Sequence, residues 1–490
     1  MTFTTITFAL FFIIVFGVYW SIRSKTCQNA FLLASSYIFY GWWDYRFCGL
    51  LLLTSLVDYT AARLLETAAA PRHRRMLLLT SLISNLGMLG FFKYFDFFAA
   101  NFRSLLNSLG FDASPFTLNV ILPVGISFYT FQSLNYTIDV YRRELKPSSN
   151  LIEFLAFVSY FPHLVAGPIN RAKDLLTQIE TARRFDPEQA VDGCRQMLWG
   201  AVKKVLIADN LAAIVEAAYN KPGQHSGPQL AFATVCFALQ IYCDFSGYSD
   251  IALGCSNVLG IRLMRNFAYP YFSQSLAEFW HRWHISLSTW FRDYLYIPLG
   301  GNRRGAWRRT ANLMITFFLS GLWHGAAWHY VVWGTINGAG LAMETTAACL
   351  RRDPPRSDRK VLIFAKVARV LATFSFICIG WVFFRANSVS DAFYILHRIA
   401  TMSYSAANWT PLLSSLRDHP VILIGAAGFM TVEWIRRKYS HPLVFARDRI
   451  QSPWVSGGFT VFRWAVYTLL VFALCQYGPF RGREFIYFQF

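Results

Sequence analysis

The sequence predicts an all-α polytopic membrane protein with about 11–12 transmembrane helices, because apolar stretches long enough to cross a bilayer recur along the whole chain. Hydrophobic residues make up 55% of the 490 residues and charged residues only 15%, a composition typical of membrane proteins. The apolar stretches leave no segment for a separate soluble catalytic domain. Residues 1–490 are therefore interpreted as a single transmembrane domain.

The predicted transmembrane segments follow from the length and hydropathy of the apolar stretches. They are roughly residues 3–22, 30–43, 46–65, 76–98, 116–138, 196–218, 229–252, 311–330, 331–348, 361–384, 420–435 and 460–478. The first stretch, "FTTITFALFFIIVFGVYW", lacks the basic start and small-residue cleavage site of a signal peptide, so we expect a retained helix.

One apolar segment is not predicted to form a continuous membrane-spanning helix. "LIEFLAFVSYFPHLVAGPI", residues 151–169, is interrupted by Pro162, Gly167 and Pro168. Broken backbone at membrane depth must be lined by protein or water. The pattern therefore predicts a re-entrant element.

The basic residues lie in short clusters between the predicted spans. The net charge of +19 would suit a nucleic-acid partner, but the clustering favours membrane topology and anionic lipid as the explanation. If all the clusters face the cytoplasm, the N-terminus and the C-terminal tail both lie outside. Nine cysteines include no CxxC pair, so we expect neither a disulfide framework nor a metal site.

An amphipathic helix is predicted for "EFWHRWHISLSTWFRDYLY", between the seventh and eighth spans. On helical spacing, Trp283 and Trp290 fall on one apolar stripe, His284 lies at its edge, and His281 and Ser288 flank that edge. Periodicity favours an interfacial helix with an aromatic belt. The alternative is a helix that presents His284 to an internal reaction chamber.

The stretch "LSGLWHGAAWHY", residues 319–330, places His324 inside an apolar run. Ionisable residues in a membrane interior are costly and are functional candidates by default. A neutral imidazole there could accept a proton from a hydroxyl nucleophile. A core histidine bonded to a backbone carbonyl is an equally good interpretation, and His329 is expected at the interface.

The segment "LQIYCDFSGYSDIALG" carries Asp244 and Asp250 in an apolar context. Such carboxylates should be paired, hydrogen-bonded or protonated. They could lie along a cation or proton path. A structural role in a helix broken at Gly247 is favoured, because the glycine and serines suit a bend.

The loop "PLGGNRRGAWRR" offers glycines and arginines that could bind the phosphates of a cytoplasmic ligand. Arg303 and Arg304 are the candidates. The positive-inside rule explains the same residues more simply, and no nucleotide-binding motif accompanies them.

Five stretches resemble the membrane-bound O-acyltransferase (MBOAT) family, in particular its bacterial branch of alginate O-acetylation and teichoic acid D-alanyl transfer proteins. They are "FPHLVAGPI", "YCDFSGYSDIALG", "EFWHRWHISLSTWFRDYLYIPLGGNRRG", "LSGLWHGAAWHYVVWG" and "FFRANSVSDAF", within residues 155–393. The resemblance implies a multi-helix enzyme of the bacterial inner membrane, built around a central tunnel. His324 matches the family's essential histidine, and His284 matches the second histidine of its active region.

The resemblance also implies a donor and an acceptor. A cytoplasmic thioester, first acetyl-CoA and second a D-alanyl carrier protein, would supply the acyl group as a substrate. The acceptor would be a polysaccharide such as alginate, another exopolysaccharide, cellulose or peptidoglycan, reached through a separate extracytoplasmic O-acetyltransferase of the SGNH type. Asp244, Ser288 and Asp250 would then be polar residues of the tunnel.

The last residues, "RGREFIYFQF", contain a segment, 484–490, that resembles a short aromatic C-terminal motif of this branch. The resemblance implies that Tyr487 carries the acyl group to the extracytoplasmic acceptor, whereas composition alone suits a tail anchored by interfacial aromatics. His281 stands where the family often has an arginine, which puts any role for a positive charge there in doubt. A non-enzymatic transporter or secretion subunit, with Asp244, Asp250 and His324 on an ion path, is the main alternative class.

Overall fold

The computed structural model describes residues 1–112, 114, 117–118, 120–165, 167–350, 359–402, 406–444, 453–479 and 485–486. Across these ranges the regular structure is helical and no β-strand occurs. The all-α prediction is therefore confirmed.

The α-helices are α1 (Ile6–Ser21), α2 (Lys25–Asp44), α3 (Arg46–Thr67), α4 (Pro71–Leu89), α5 (Phe95–Ser108), α6 (Ile126–Tyr141), α7 (Leu151–Ser159), α8 (Phe161–Leu164), α9 (Ala172–Glu180), α10 (Pro187–Ala201), α11 (Asp209–Asn220), α12 (Gly227–Val258), α13 (Leu276–Arg282), α14 (Ile285–Phe291), α15 (Gly305–His324), α16 (Trp328–Leu350), α17 (Arg359–Arg385), α18 (Val389–Met402), α19 (Thr410–Asp418), α20 (Pro420–Arg436) and α21 (Pro453–Tyr477). Short π-helical turns cover Gly90–Tyr94, Val202–Ala208 and Arg292–Tyr296.

Five helical segments of the described chain are long and apolar enough to cross a membrane. They are Arg46–Thr67, Pro71–Ser108, Gly227–Val258, Ile363–Arg385 and Thr460–Tyr477. Each predicted span overlaps at least one α-helix, although α6 begins later than expected, at Ile126. The architecture is that of a polytopic membrane protein.

Helix α12 lies at the centre of the bundle, and 72% of its most apolar 18-residue window is buried. It begins with a capping box, in which the Ser226 side chain accepts from the Gln229 backbone and the Gln229 side chain accepts in return. The helix continues without interruption past Gly247, so the predicted break there is wrong. A side chain at Gly247 would lie 2.7 Å from the carbonyl oxygen of Gly200, and the glycine instead allows close helix packing.

The segment predicted as re-entrant is broken, as expected. Helix α7 ends at Ser159, the backbone of Tyr160 is non-helical (φ −48°, ψ 107°), and α8 is a single turn that contains Pro162. Phe161 N–H donates to the Ser36 hydroxyl over 3.1 Å, which gives one backbone group at the break a protein partner.

The prediction of a single amphipathic helix is wrong in one respect. The segment divides into α13 and α14, because Trp283 is extended and His284 has a left-handed backbone (φ 43°, ψ 55°). The aromatic stripe is nevertheless buried, since Trp283 is 1% exposed. The break turns His284 into the core rather than leaving it along a helix edge.

Candidate active site

A polar turn around Asn266 holds His284 in its left-handed conformation. The backbone carbonyl of Asn266 accepts from Ile285 N–H over 2.9 Å. The side-chain oxygen of Asn266 accepts from Ser286 N–H at 3.2 Å and from the Ser286 hydroxyl at 3.0 Å. These contacts compensate for the strain of a positive φ at a non-glycine residue.

The same oxygen sets the tautomer of His284. Because Ser286 N–H can only donate, the Asn266 atom that faces it is the carbonyl oxygen, and His284 Nδ1, 3.1 Å away, must donate to it. The proton therefore lies on Nδ1 and the lone pair on Nε2. Nε2 is buried and has no hydrogen-bond partner among the residues described. It is the position from which this imidazole can accept a proton.

Aromatic side chains surround the imidazole of His284, which is 2% exposed. The Phe245 ring meets it edge-on at 4.6 Å, and Phe128 and Phe267 stack at 6.4 Å between ring centroids. Burial lowers the pKa of His284 to about 3. The group is neutral at physiological pH.

His324 is the last residue of α15 and is 5% exposed. Its ring meets those of Trp333 and Phe384 edge-on, with centroids 4.9 and 5.3 Å away. His324 is therefore buried among aromatic rings.

One indole packs against both histidines. The Trp323 ring lies 5.0 Å from the His324 ring and 5.9 Å from the His284 ring, edge-on to both. His284 reaches this indole from the turn between α13 and α14, and His324 from the end of α15. The structure thus joins the two histidines that the sequence singled out.

A lysine missed by the sequence analysis supports this end of α15. Lys93 Nζ, on the π-helical turn Gly90–Tyr94, donates to the carbonyl oxygens of Trp323 (2.6 Å) and His324 (3.2 Å). An amine donor at this position satisfies carbonyls that the end of a helix leaves without an intrahelical partner. An isolated lysine in the apolar run "LGFFKYF" was the available signal.

The two carboxylates of α12 are paired with consecutive lysines. Lys204 Nζ lies 2.5 Å from Asp244 Oδ1, and Lys203 Nζ lies 3.0 Å from Asp250 Oδ2. Gln196 also donates to Asp250, over 3.0 Å. The prediction that these carboxylates are paired is confirmed, while their lysine partners were not identified from the sequence.

The other predicted residues have separate partners or are exposed. The Ser288 hydroxyl donates to the Trp283 carbonyl over 3.2 Å. Arg303 and Arg304 are exposed in the loop before α15. His281 is exposed, and half-buried His329 places Nδ1 3.1 Å from the Phe383 carbonyl.

Tyr487 lies outside the described residues. Over the described ranges, no group of three or more His, Cys, Asp or Glu side chains is arranged to hold a metal ion.

Comparison with known proteins places this geometry in a family. The sequence model of the membrane-bound O-acyltransferase (MBOAT) family matches residues 141–384. This interval contains Asn266, His284 and His324. The probable alginate O-acetylase AlgI of Azotobacter vinelandii is 38% identical over 456 residues, which cover 91% of this chain and 87% of the relative. The chain belongs to the membrane-bound O-acyltransferase family.

The names of two further relatives describe the transfer of different groups. The peptidoglycan O-acetyltransferase of Helicobacter pylori is 32% identical over 400 residues, 76% of this chain and 74% of the relative. The teichoic acid D-alanyltransferase of Streptococcus thermophilus is 32% identical over 255 residues, 48% of this chain and 60% of the relative. This membrane-bound O-acyltransferase is therefore an acyltransferase and a multi-pass membrane protein, and the transporter interpretation is not retained.

Proposed function

We propose that this membrane-bound O-acyltransferase moves an acetyl group from a thioester donor to hydroxyl groups of a cell-envelope or extracellular polysaccharide. The observation that carries the proposal is the buried histidine pair at Trp323, in which hydrogen bonding leaves His284 Nε2 unprotonated. A neutral imidazole in a dry cavity is suited to general-base catalysis. The O-acetylases among the relatives favour acetyl as the group transferred.

The proposed reaction is acyl transfer with His324 as the base and His284 as the second catalytic histidine. His324 accepts the proton of the attacking hydroxyl, whose oxygen forms a bond to the thioester carbonyl carbon. The carbon–sulfur bond then breaks, and the imidazolium returns the proton to the leaving thiolate. The hydroxyl hydrogen is donated to His324 alone, and His284 supplies a second imidazole of the site, with Nε2 unprotonated. Protons and electrons balance in this reaction without another reactant.

The donor in this proposal is acetyl-CoA, bound from the cytoplasm. Arg303 and Arg304 are exposed cations in one loop and can contact the phosphates of the donor. Their replacement by alanine should raise KM for acetyl-CoA and leave kcat unchanged, because they would contribute only ground-state binding.

The acceptor side of the proposal uses the C-terminal tail. Tyr487 would receive the acetyl group on its phenol oxygen and pass it to an extracytoplasmic O-acetyltransferase of the SGNH type, which acetylates the polysaccharide. The enzyme would lie in the bacterial inner membrane with its N-terminus outside. Asp244, Ser288 and Asp250 would be polar residues along the route between the two sides.

A second candidate is D-alanyl transfer to an envelope polymer from a carrier-protein thioester. It is favoured by the similarity to the teichoic acid D-alanyltransferase of Streptococcus thermophilus, although that match spans about half of this chain. The histidine pair would perform the same acyl-transfer chemistry.

Reconstitution in proteoliposomes separates these functions. The full-length protein is supplied with radiolabelled acetyl-CoA or with a D-alanyl carrier-protein thioester, and each protein component is analysed by mass spectrometry. Acetylation of Tyr487 from acetyl-CoA, absent in Tyr487→Phe, is expected. Labelling from the D-alanyl donor alone would contradict acetyl transfer, and equal acetyl labelling of Tyr487→Phe would remove the tyrosine from the mechanism.

A further inference from the structure

Residues 485–486, near the C-terminus, are bound in the protein core, partly through the backbone amide of Ile486. Ile486 N–H donates to Asp244 Oδ2 over 2.8 Å. The other carboxylate oxygen, Oδ1, lies 2.5 Å from Lys204 Nζ, which also pairs with Asp209 over 2.8 Å. The salt bridge fixes the position of the Asp244 carboxylate, and a carboxylate accepts a stronger hydrogen bond from a backbone amide than a neutral oxygen does.

The side chains of the same segment fill an aromatic pocket on α12. Phe485 and Ile486 are 1% and 5% exposed. The Phe485 ring lies 4.7 Å from the Tyr248 ring and 5.6 Å from the Phe245 ring. Phe245 and Tyr248 lie within one helical turn of Asp244, so a single face of α12 supplies both the hydrogen bond and the pocket.

This pocket adjoins the histidine site. The Phe245 ring that contacts Phe485 also meets the His284 ring edge-on at 4.6 Å. One aromatic ring therefore separates the bound end of the chain from the catalytic imidazole. In the sequence, Tyr487 follows Ile486 directly.

We propose that the Asp244–Lys204 pair is a docking site for the C-terminal end of the chain, and that docking positions this end beside His284. Asp244 is thus a positioning residue, acting through the tail. The docking site itself does not depend on the proposed function; only its use in presenting Tyr487 to the acyl group rests on that function. Asp250, six residues further along α12, forms the same kind of ion pair with Lys203 and also accepts from Gln196, whereas Ile486 N–H donates to Asp244.

Hydrogen exchange of the Ile486 amide tests the docking site directly. The full-length protein in detergent is exchanged in deuterated buffer, digested with pepsin, and the C-terminal peptide is analysed by mass spectrometry. In Asp244→Leu the Ile486 amide should exchange at least about tenfold faster, because the loss of a charge-assisted hydrogen bond shifts the local opening equilibrium by that factor or more. Asp250→Leu is the matched control and should leave the exchange of this peptide unchanged.

A second variant keeps the test valid if Asp244→Leu does not fold. Ile486→Pro removes the donor without altering α12, and the other amides of the same C-terminal peptide should then exchange as fast as in an undocked tail. Unchanged exchange in folded Asp244→Leu or in Ile486→Pro would overturn the docking site, as would equal acceleration in Asp250→Leu. No acyl donor is used, so that result would leave the proposed acetyl transfer standing.

Discussion

His284 and His324 pack edge-on against one indole, that of Trp323, with ring centroids 5.9 and 5.0 Å away. His284 donates to the amide oxygen of Asn266, and the carbonyls at the end of α15 accept from Lys93. The site thus keeps a neutral base in an apolar wall, which suits proton transfer from a hydroxyl.

Asn266 should matter for catalysis although it is not one of the histidines. Asn266→Ala removes the acceptor that holds the proton on His284 Nδ1, so the tautomer is no longer set. We expect kcat to fall by about tenfold or more, with little change in KM, as for a residue that orients a catalytic histidine. Steady-state acetyl transfer by the reconstituted protein measures both constants.

Ser286→Ala is a milder variant whose kcat can be compared with that of Asn266→Ala. It deletes one of the bonds to the Asn266 oxygen and leaves the backbone donor in place. Its loss of kcat should therefore be smaller. A larger loss in Ser286→Ala than in Asn266→Ala would contradict the role of the amide oxygen in setting the tautomer.

Lys93 should stabilise the end of α15. Lys93→Met leaves two carbonyl oxygens without their amine donor, which is expected to cost about 1–3 kcal/mol. Thermal unfolding in detergent measures this loss, and Lys93→Arg should recover part of it because it keeps N–H donors. Equal unfolding temperatures for the wild type and Lys93→Met would show that the lysine does not anchor the helix.

The protein should lose stability in acid partly through His284. Its pKa is lowered to about 3 in the folded protein, and an unfolded histidine has a pKa near 6.5. Between these values the unfolded state binds the additional proton, so stability is complete above about pH 6.5 and falls by up to about 1.4 kcal/mol per pH unit below it. His284→Gln should show a shallower decline of unfolding temperature from pH 6.5 to 4.5, and parallel pH profiles would disprove burial of a neutral imidazole.

Close helix packing at Gly247 provides a prediction for the fold. In Gly247→Ala the added methyl group would lie 2.7 Å from the Gly200 carbonyl oxygen, so α12 and α10 must separate. Overpacking of this kind costs about 1–3 kcal/mol. Gly49→Ala is the control, since nothing lies within 4 Å of its added carbon. Thermal unfolding should separate the two variants, and equal effects would argue against tight packing at Gly247.

Local sequence patterns predicted the helices, because the length and hydropathy of a segment indicate whether it can cross a membrane. They also predicted the burial of His324, because it is an ionisable residue within such an apolar segment. The broken segment after Ser159 was also predicted, since Pro162 cannot continue a helix. These features depend on neighbours in the sequence.

The turn at His284 could not be predicted in this way. Its positive φ is held by Asn266, which lies outside the helical pattern in which His284 was placed. The pairing of Asp244 with Lys204 likewise joins two distant helical segments. Gly247 was interpreted as a bend because a glycine that permits close packing has the same sequence signature as one that breaks a helix.

The role of the histidine pair is tested most directly by acetyl transfer in the reconstituted full-length protein. His324→Ala and His284→Ala are compared with His281→Ala, a replacement of an exposed histidine three residues from His284. Transfer should fall by about 100-fold or more in the first two variants, as expected for loss of general acid–base catalysis, and remain unchanged in the third. Folded, membrane-inserted His324→Ala that transfers acetyl groups at the wild-type rate would contradict the assignment of His324 as the catalytic base.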